Sequence, residues 1–408
     1  MGLFDLGSDH ESGNWPLSPQ EAETRNIGNF DAIEKSMPGL PQRFASLSLK
    51  DNLSSYLGAR NPFGQRVQPG KHEVWLLDNT AWQDGDEWKA EFVAAYFVKN
   101  SGFDLSRIVA DLTEKLGVGE GDDVDERMHR RLQPFVDGIA PAHYINIGIA
   151  GKHTERLGPS GRDGLSTTKL TIPGSHGDGE VITSSAVQPN VATNPLVTTF
   201  ASPTGWAVLS DVDDTIKITQ TSSPLGILKT TFVDEPQVVA GMPELYKHIH
   251  SALKQPPFWY LSASPYNLYP FLHSFRSDYY PPGPLILREA SWMNLAGFLA
   301  SLTRGTQDYK TEEIERLHRD FPQRKFLCIG DSTQTDPESY AEMYRKYPKW
   351  IRAIYIRRVS GQMEMDQSHK NENQRFEEAF RDIPKEIWHV FDDPRELYAK
   401  VDQLASAS

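Results

Sequence analysis

The second half of the chain alternates short apolar runs with segments of helical periodicity, and this alternation restricts the fold more than any other feature. The apolar runs are, in order, WAVL, FWYL, LIL, KFLCI, IRAIYI and IWHVF. Between them apolar side chains recur at helical spacing, as with Leu245, Ile249 and Leu253 after Pro243. Apolar strands bounded by helices are typical of a parallel sheet covered on both faces. The sequence therefore predicts an α/β domain with a Rossmann-like parallel sheet over residues 203–408.

The region before this domain is rich in β-branched and aromatic residues. Residues 72–202 contain the stretches EVWLLDNTAW, EWKAEFVAAYF, HYINIGIAG, TTKLTIPG and VITSSAV, which favour strands. Apolar residues from Leu105 to Leu116 have helical spacing instead, and they follow Asp104, a candidate N-cap. This region is predicted to be a β-rich, sandwich-like domain with an inserted helix.

The N-terminal region is polar and acidic. From Met1 to Glu34 there are seven acidic residues and one basic residue, with Ser, Pro and Gly among them. No helical or strand periodicity is sustained there, and such a composition buries too little apolar surface to order a chain. Residues 1–71 are therefore expected to be a disordered tail.

Charge and cysteine content exclude several classes of protein. The 42 basic and 55 acidic residues give a net charge of −13, so no nucleic-acid partner is expected. The single cysteine, Cys328, excludes disulfide frameworks and multi-cysteine zinc sites and suits a reducing compartment. Neither an apolar run of ~18 residues nor a signal peptide is visible, so we expect a cytoplasmic protein without a membrane span.

Acidic and hydroxyl side chains follow three of the predicted parallel strands, where ligands of such sheets bind. The residues that follow WAVL, FWYL and KFLCI in this way are Asp211, Asp213, Ser262, Asp331 and Asp336. Four carboxylates at one edge need a cation, and oxygen ligands beside a phosphate indicate Mg²⁺. The predicted metal ligands are Asp211, Asp213, Asp331 and Asp336, with the main-chain carbonyl of Asp213 as a further ligand.

The same residue types suit phosphoryl transfer. With its charge screened by a metal, Asp211 could attack a phosphorus atom and form an aspartyl-phosphate. Asp213, which faces the same way along an extended chain, would act as acid and then as base. Ser262 would donate a hydrogen bond to the phosphoryl group, and Lys310, which opens the helix before KFLCI, would add a positive charge.

Four motifs resemble those of the haloacid-dehalogenase-like phosphatases. They are DVDDT, with Asp211, Asp213 and Thr215, then Ser262, then Lys310, and finally GDSTQTD, with Asp331 and Asp336. The resemblance implies the fold of that superfamily and gives the candidate catalytic residues as Asp211, Asp213, Thr215, Ser262 and Lys310. The family commonly has Gly where Thr333 stands.

More narrowly, residues from about Pro203 to Ser360 resemble the catalytic domain of the actin-patch-associated phosphatidate phosphatases. The resemblance rests on VLSDVDDTIKIT, FWYLSASPYNLYPFL, LILRE, YKTEEIERL, FPQRKFLCIGDSTQTDPESY and IRAIYIRRV. It implies Mg²⁺-dependent hydrolysis of phosphatidate to diacylglycerol and phosphate. Two alternatives stay open: a phosphatase for a soluble phosphomonoester or phosphoprotein, and an adaptor whose phosphatase domain is idle.

Three further features bear on substrate and partners. Six basic residues lie between Arg345 and Arg358 with no acid among them, which indicates either a patch for an anionic phospholipid membrane, bound peripherally, or the flanks of a helix and a strand. Arg288 could contact the substrate phosphate or cap the sheet edge. Pro281, Pro282 and Pro284 form a PxxP motif that could bind an SH3 domain of actin-patch proteins or form a turn before a strand.

Overall fold

The structure, a computed structural model, describes residues 17–38, 64–99, 104–118, 121–288 and 295–406. Within these ranges a β-rich part precedes an α/β part, and two short helices precede both. No helix in the described ranges is both long enough and apolar enough to cross a bilayer.

The two N-terminal helices are α1 (Pro19–Ile27) and α2 (Phe30–Ser36). Helix α1 begins with a capping box, in which the Ser18 hydroxyl accepts a hydrogen bond from the Glu21 N–H at 3.3 Å and the Glu21 carboxylate accepts from the Ser18 N–H at 2.9 Å. In α2 the ring of Phe30 is completely buried. Both helices therefore have local and tertiary reasons to form.

Arg25 in α1 binds two acidic residues of this region and one distant residue. Its buried guanidinium donates to both carboxylate oxygens of Glu34 at 2.8 Å and to the Asp31 carboxylate at 2.5 Å. It also donates to the hydroxyl of Thr303, which is 278 residues away, at 2.7 Å. Two of the acidic residues are thus paired with a buried cation, and the contact with Thr303 forms only in the folded chain.

The expectation of a disordered tail over residues 1–71 is therefore wrong for residues 17–38. It is also wrong for residues 64–71, because Gln65 and Arg66 pair with His143 and Tyr144 as a short parallel strand. Residues 1–16 and 39–63 lie outside the described residues, and for them disorder stays a prediction.

Among its described residues, the β-rich part has eleven strands and two inserted helices. The strands are β1 (Gln65–Arg66), β2 (His72–Leu76), β3 (Asn79–Asp84), β4 (Glu87–Val98), β5 (Gly138–Ile139), β6 (His143–Ile149), β7 (His153–Leu157), β8 (Leu165–Ile172), β9 (Val181–Ala186), β10 (Ala192–Thr193) and β11 (Leu196–Ala201). The helices are α3 (Ser106–Leu116) and α4 (Asp122–Val136). The predicted strands and the helix after Asp104 are confirmed. Helix α4 escaped prediction because its sequence, DDVDERMHRRLQPFV, is mostly charged.

The long strand β4 organises this sheet. It pairs in antiparallel fashion with β2, β3, β5 and β8. The strand order is β1-β6-β9-β11-β3-β4-β2-β10, with β5, β7 and β8 off this path. Val74, Phe92, Ile147 and Phe200 belong to its apolar core, which is a separate cluster from the larger core that residues of the β-rich part and the α/β part form together. The sandwich-like arrangement stays a prediction.

The α/β part contains a six-stranded sheet in which every neighbouring pair is parallel. Its strands are β12 (Trp206–Asp211), β13 (Phe258–Pro265), β14 (Leu285–Arg288), β15 (Lys325–Asp331), β16 (Ile351–Arg357) and β17 (Trp388–Phe391). Their order is β14-β13-β12-β15-β16-β17. These strands are the six apolar runs of the sequence, so the parallel α/β prediction is confirmed. Membership of the haloacid-dehalogenase-like fold stays a prediction.

Helices separate the strands, as the periodicity predicted. They are α5 (Pro224–Leu228), which continues as a π-helix (Lys229–Val233), α6 (Met242–Ala252), α7 (Tyr269–Tyr279), α8 (Leu295–Ser301), α9 (Thr306–Asp320), α10 (Asp336–Lys346), α11 (Met363–Asp366), α12 (Asn373–Ala379) and α13 (Tyr398–Ser406). Because β12 lies between β13 and β15, the carboxyl ends of these three strands are adjacent. The residues that end these strands therefore meet at one edge of the sheet.

Candidate active site

Asp211, the last residue of β12, lies at the centre of this edge. Its carboxylate is completely buried. The Lys310 ammonium donates to its Oδ1 at 2.8 Å, and the Thr215 hydroxyl donates to its Oδ2 at 2.9 Å. Both carboxylate oxygens of Asp211 therefore accept hydrogen bonds from residues that the sequence motifs give as candidate catalytic residues.

Two further buried carboxylates complete a cluster around Asp211. Oxygen atoms of Asp211, Asp331 and Asp336 lie within 4.8 Å of one another. Asp331 ends β15, and Asp336 is the first residue of α10. The Asp336 side chain accepts from the Asp331 N–H at 3.0 Å through Oδ2 and from the Lys310 ammonium through Oδ1. Three of the four predicted metal ligands are therefore brought together.

Asp213 is oriented differently from the other three. Its Oδ2 accepts from the Ser262 hydroxyl at 2.5 Å, and its Oδ1 accepts from the Thr219 hydroxyl at 2.8 Å. The carboxylate does not belong to the three-carboxylate cluster of the described residues. Its side chain is positioned to act together with Ser262, and metal ligation by Asp213 stays a prediction.

The electrostatics of the cluster favour a bound cation. Burial raises the pKa of Asp211, and the neighbouring Asp336 raises it further. Burial and Asp336 also raise the pKa of Asp331, to about 7. Burial lowers the pKa of Lys310, but the negative charges of Asp211 and Asp336 outweigh burial and raise it overall. One ammonium cannot balance three buried carboxylates, and a donor set made of carboxylate oxygens suits a hard divalent cation such as Mg²⁺.

Gly330 permits the close approach of Asp336 to β15. A Cβ atom on Gly330 would lie 2.6 Å from the Asp336 Cβ and 2.6 Å from its Oδ2. Real carbon atoms do not approach so closely, so a side chain here must displace the start of α10.

We expect Gly330→Ala to weaken metal binding and to lower kcat at least about tenfold, because overpacking of ~1–3 kcal/mol shifts Asp336 away from Lys310. Isothermal titration with Mg²⁺ and a phosphate-release assay check this. Gly177→Ala is the control, because a Cβ atom there meets no other atom within 4 Å. Unchanged metal affinity in Gly330→Ala would contradict the role given to this contact.

The roles of Asp214, Thr219 and Thr221 were not predicted from the sequence. Asp214 has a φ of 60°, and its carboxylate accepts from the N–H groups of Thr219 at 3.0 Å, Gln220 at 2.8 Å and Thr221 at 2.7 Å. It therefore shapes the turn that carries Thr219 to Asp213. The third aspartate in DVDD was the available signal, but the hydrogen bonds depend on a left-handed turn that spacing does not reveal.

Thr333, where the family commonly has Gly, also contacts the site. Its hydroxyl donates to Oδ1 of Asp331 and accepts from the Thr221 hydroxyl at 2.7 Å. The Thr333 N–H donates to the same Asp331 oxygen at 2.5 Å. The added hydroxyl therefore supports Asp331 rather than displacing it.

The structure also shows the contacts of Arg288 and of the basic stretch from Arg345 to Arg358, for which the sequence left two interpretations open. Arg288 is buried and donates to the carbonyl oxygens of Arg304 and Gly305 at 2.9 Å, so it supports the start of α9. In the basic stretch, Arg357 donates to the Asp214 carbonyl oxygen at 2.7 Å and Arg345 to two carbonyl groups before and after Phe380. These contacts favour structural roles for the three arginines.

Comparison with known proteins identifies the segment that carries this site. Residues 206–358 match the family model of the catalytic domain of phosphatidate phosphatase APP1. The family resemblance is confirmed for this segment. All candidate residues lie within the APP1-type segment: Asp211, Asp213, Thr215, Ser262, Lys310, Asp331 and Asp336.

Two curated proteins are similar to part of this chain. Phosphatidate phosphatase APP1 of Saccharomyces cerevisiae is 33% identical over 176 residues, which are 42% of this chain and 29% of the yeast protein. An uncharacterized protein of Schizosaccharomyces pombe is 28% identical over 160 residues, which are 38% of this chain and 25% of that protein. The chain thus covers less than a third of either relative.

Proposed function

We propose that this protein is a Mg²⁺-dependent phosphatidate phosphatase that releases diacylglycerol and phosphate. The observation that carries the proposal is the environment of Asp211, which is buried between Lys310, Thr215 and two further carboxylates at the end of the central strand. This arrangement lies within the segment similar to the APP1 catalytic domain, which supports phosphatidate as the substrate. A catalytically idle adaptor would have no need of so many mutually repelling buried carboxylates.

Each side chain has a defined role in this reaction. Asp211 attacks the phosphorus atom and becomes an aspartyl-phosphate, while Lys310 and Ser262 bind phosphoryl oxygens. Asp213 protonates the leaving ester oxygen and later takes a proton from the attacking water. Thr215 holds the Asp211 carboxylate in position through its hydrogen bond to Oδ2. Asp211, Asp331 and Asp336 would hold Mg²⁺, which supplies charge screening between the phosphate and the nucleophile.

The catalytic side chains are closed off from solvent in this structure. Asp211, Ser262 and Lys310 are 0% exposed, and Asp213 is 2% exposed. A phosphate group reaches them only after a covering segment moves, and closure around the bound group then excludes water. Residues 219–239, which follow the Asp214 turn, are the covering segment that we propose to move.

Docking at the membrane is part of the proposed function, because phosphatidate resides in a bilayer. We propose a cytoplasmic protein that associates peripherally with anionic phospholipid surfaces. An SH3-type or actin-patch partner stays a prediction. In this structure Pro281 and Pro284 are buried and Pro282 alone of the three prolines is exposed, which limits the PxxP surface that a partner could contact.

The test is phosphate release from phosphatidate in detergent micelles, with a parallel panel of soluble phosphomonoesters and a phosphopeptide. We expect turnover of phosphatidate in Mg²⁺ and a loss of about 10²-fold or more in EDTA, because the metal stabilises transition-state charge by several kcal/mol. Preference for a soluble ester or the phosphopeptide would reject phosphatidate as substrate. Absence of turnover on every ester would leave only the adaptor.

A pH prediction follows from the carboxylate cluster in the metal-free protein. The folded pKa of Asp331 is about 7 and its ordinary value is 3.8, so between these values the folded state binds more protons than the unfolded state. The free energy of unfolding in EDTA should therefore fall as pH rises from about 4 to 7, and stabilisation by Mg²⁺ should grow over the same range.

Urea unfolding at pH 5, 6, 7 and 8, in EDTA and in Mg²⁺, measures both effects. Asp331→Asn is the control, because an amide has no proton to lose and the pH slope should flatten. A metal-free stability that increases with pH over this range would show that the cluster does not retain its protons.

A further inference from the structure

Lys217 is a buried cation that the proposed chemistry does not use. Its side chain is 1% exposed, and among the described residues its ammonium forms no ion pair with a carboxylate. The Nζ atom donates to the Ile218 carbonyl oxygen at 3.3 Å and to the Thr219 hydroxyl at 3.1 Å, and it lies 5.5 Å from the centre of the Phe271 ring. Burying an ammonium without an ionic partner is costly, so its position calls for an explanation.

The ammonium retains its proton at neutral pH. Burial lowers the pKa of Lys217 to about 8, although the negative charges of Asp213 and Asp214 act to raise it. An ammonium has three N–H donors and no acceptor. In its contact with Thr219, Lys217 is therefore the donor and the hydroxyl oxygen is the acceptor.

This contact determines where the single proton of the Thr219 hydroxyl points. The Asp213 Oδ1 lies 2.8 Å from the hydroxyl, whereas the Lys217 carbonyl oxygen lies 3.5 Å away. The shorter contact is the stronger hydrogen bond, so Thr219 donates to Asp213. Lys217, Thr219 and Asp213 thus form a chain of hydrogen bonds with one direction.

The direction of this chain has a consequence for Asp213. Because Oδ1 accepts from Thr219, a proton carried by Asp213 lies on Oδ2, and the contact with Ser262 then reverses, so that Oδ2 donates to the Ser262 hydroxyl oxygen. The Ser262 hydroxyl lies 2.5 Å from Oδ2 and accepts a hydrogen bond from the Ser264 N–H at 3.0 Å. Ser262 is the proposed phosphoryl contact, so Oδ2 is the oxygen on the substrate side.

We propose that Lys217 is a positioning residue for the acid–base step, which acts through Thr219 and fixes the Asp213 carboxyl group with its transferable proton on Oδ2. This role rests on the proposed function of Asp213 as the acid. In that step a carboxylate oxygen of Asp211 bonds to phosphorus, and the bond from phosphorus to the ester oxygen breaks. The electron pair stays on the ester oxygen, which takes the proton from Asp213 and leaves as an alcohol.

The test compares two leaving groups. The alcohol of phosphatidate leaves poorly without a proton, whereas the 4-nitrophenolate of 4-nitrophenyl phosphate leaves readily without one. We expect Lys217→Met to lower kcat/KM for phosphatidate by roughly 10- to 100-fold and kcat/KM for the nitrophenyl ester by less than about threefold, because kcat/KM reports formation of the aspartyl-phosphate and not its later hydrolysis. Equal losses on both esters, or no loss on either, would overturn the role of Lys217.

Two reference variants separate the possible failures. Asp213→Asn must itself discriminate between the leaving groups, and if it does not, the proposed acid is wrong. If Asp213→Asn discriminates and Lys217→Met does not, the inference about Lys217 alone is wrong. Lys247→Met removes an exposed ammonium from α6, outside the covering segment, and should leave kcat/KM for both esters unchanged.

Thr219→Val keeps the inference testable should Lys217→Met fold poorly. Valine preserves the shape of threonine and removes the hydroxyl that links Lys217 to Asp213. We expect the loss in kcat/KM for phosphatidate in Thr219→Val to match that in Lys217→Met, and the double variant to lose no more than either single variant. Multiplicative losses in the double variant would show that Lys217 does not act through Thr219.

Discussion

Asp211→Asn should abolish phosphate release, with a loss in kcat of roughly 10⁴-fold or more, because an amide cannot form the aspartyl-phosphate. The asparagine side chain has the same shape and can still accept from Lys310 through its oxygen. The fold should therefore persist. The metal-free variant should be at least as stable as the wild type, since one of three mutually repelling buried carboxylates becomes neutral.

This prediction is checked by phosphate release together with urea unfolding in EDTA. Asp308→Asn is the matched control, because Asp308 is exposed on α9 and the substitution changes charge by the same amount. Activity near that of the wild type in Asp211→Asn would disprove the nucleophile. If Asp211→Asn lost its folded state as well as its activity, the kinetic result would not bear on the nucleophile. The unfolding curve identifies this case.

Lys310→Met should destabilise the protein strongly as well as inactivate it. The Lys310 ammonium is completely buried and donates to both Asp211 and Asp336, so its removal leaves two carboxylates without a cation. Breaking a buried ion pair in this way costs about 3–5 kcal/mol. We expect a loss of that order in the free energy of unfolding in EDTA, with part of it recovered by saturating Mg²⁺.

Two comparisons make the Lys310 result specific. Lys346 pairs with Glu315 at the surface, so Lys346→Met should leave the unfolding free energy almost unchanged. Adding Asp336→Asn to Lys310→Met should restore part of the lost stability, because one of the two uncompensated carboxylates is removed. No recovery in the double variant would mean that the loss comes from packing and not from charge.

The strand ends were predictable because they depend on a general property of parallel sheets. Asp211, Ser262 and Asp331 each stand at or near the end of an apolar run, and adjacent parallel strands bring such residues together. Lys310 and Asp336 come from helices; both were candidates because they match the family motifs, but their pairing was not predicted. The sequence thus predicted the members of the cluster but not how their charges are shared.

Two features could not be predicted from the sequence. One depends on residues that are distant in the sequence, and the other depends on backbone conformation. Arg25 and Glu21 lie in the segment that is predicted to be a disordered tail. Yet Arg25 binds Thr303, 278 residues away, and Glu21 binds Thr306, 285 residues away. The role of Asp214 depends on its left-handed backbone, which turns Thr219 toward Asp213. Local composition contains neither kind of information.

Helix α1 contacts residues that are far from it in the sequence, so a long interval of synthesis separates it from these partners. Glu23 accepts from the N–H of His369, and Thr24 contacts the Lys370 ammonium, each across 346 residues of sequence. A ribosome that adds about 5–20 residues per second needs roughly 20–70 s to bridge this interval. Helix α1 is therefore synthesised roughly that long before these partners, and until they appear its polar and acidic side chains stay in contact with water.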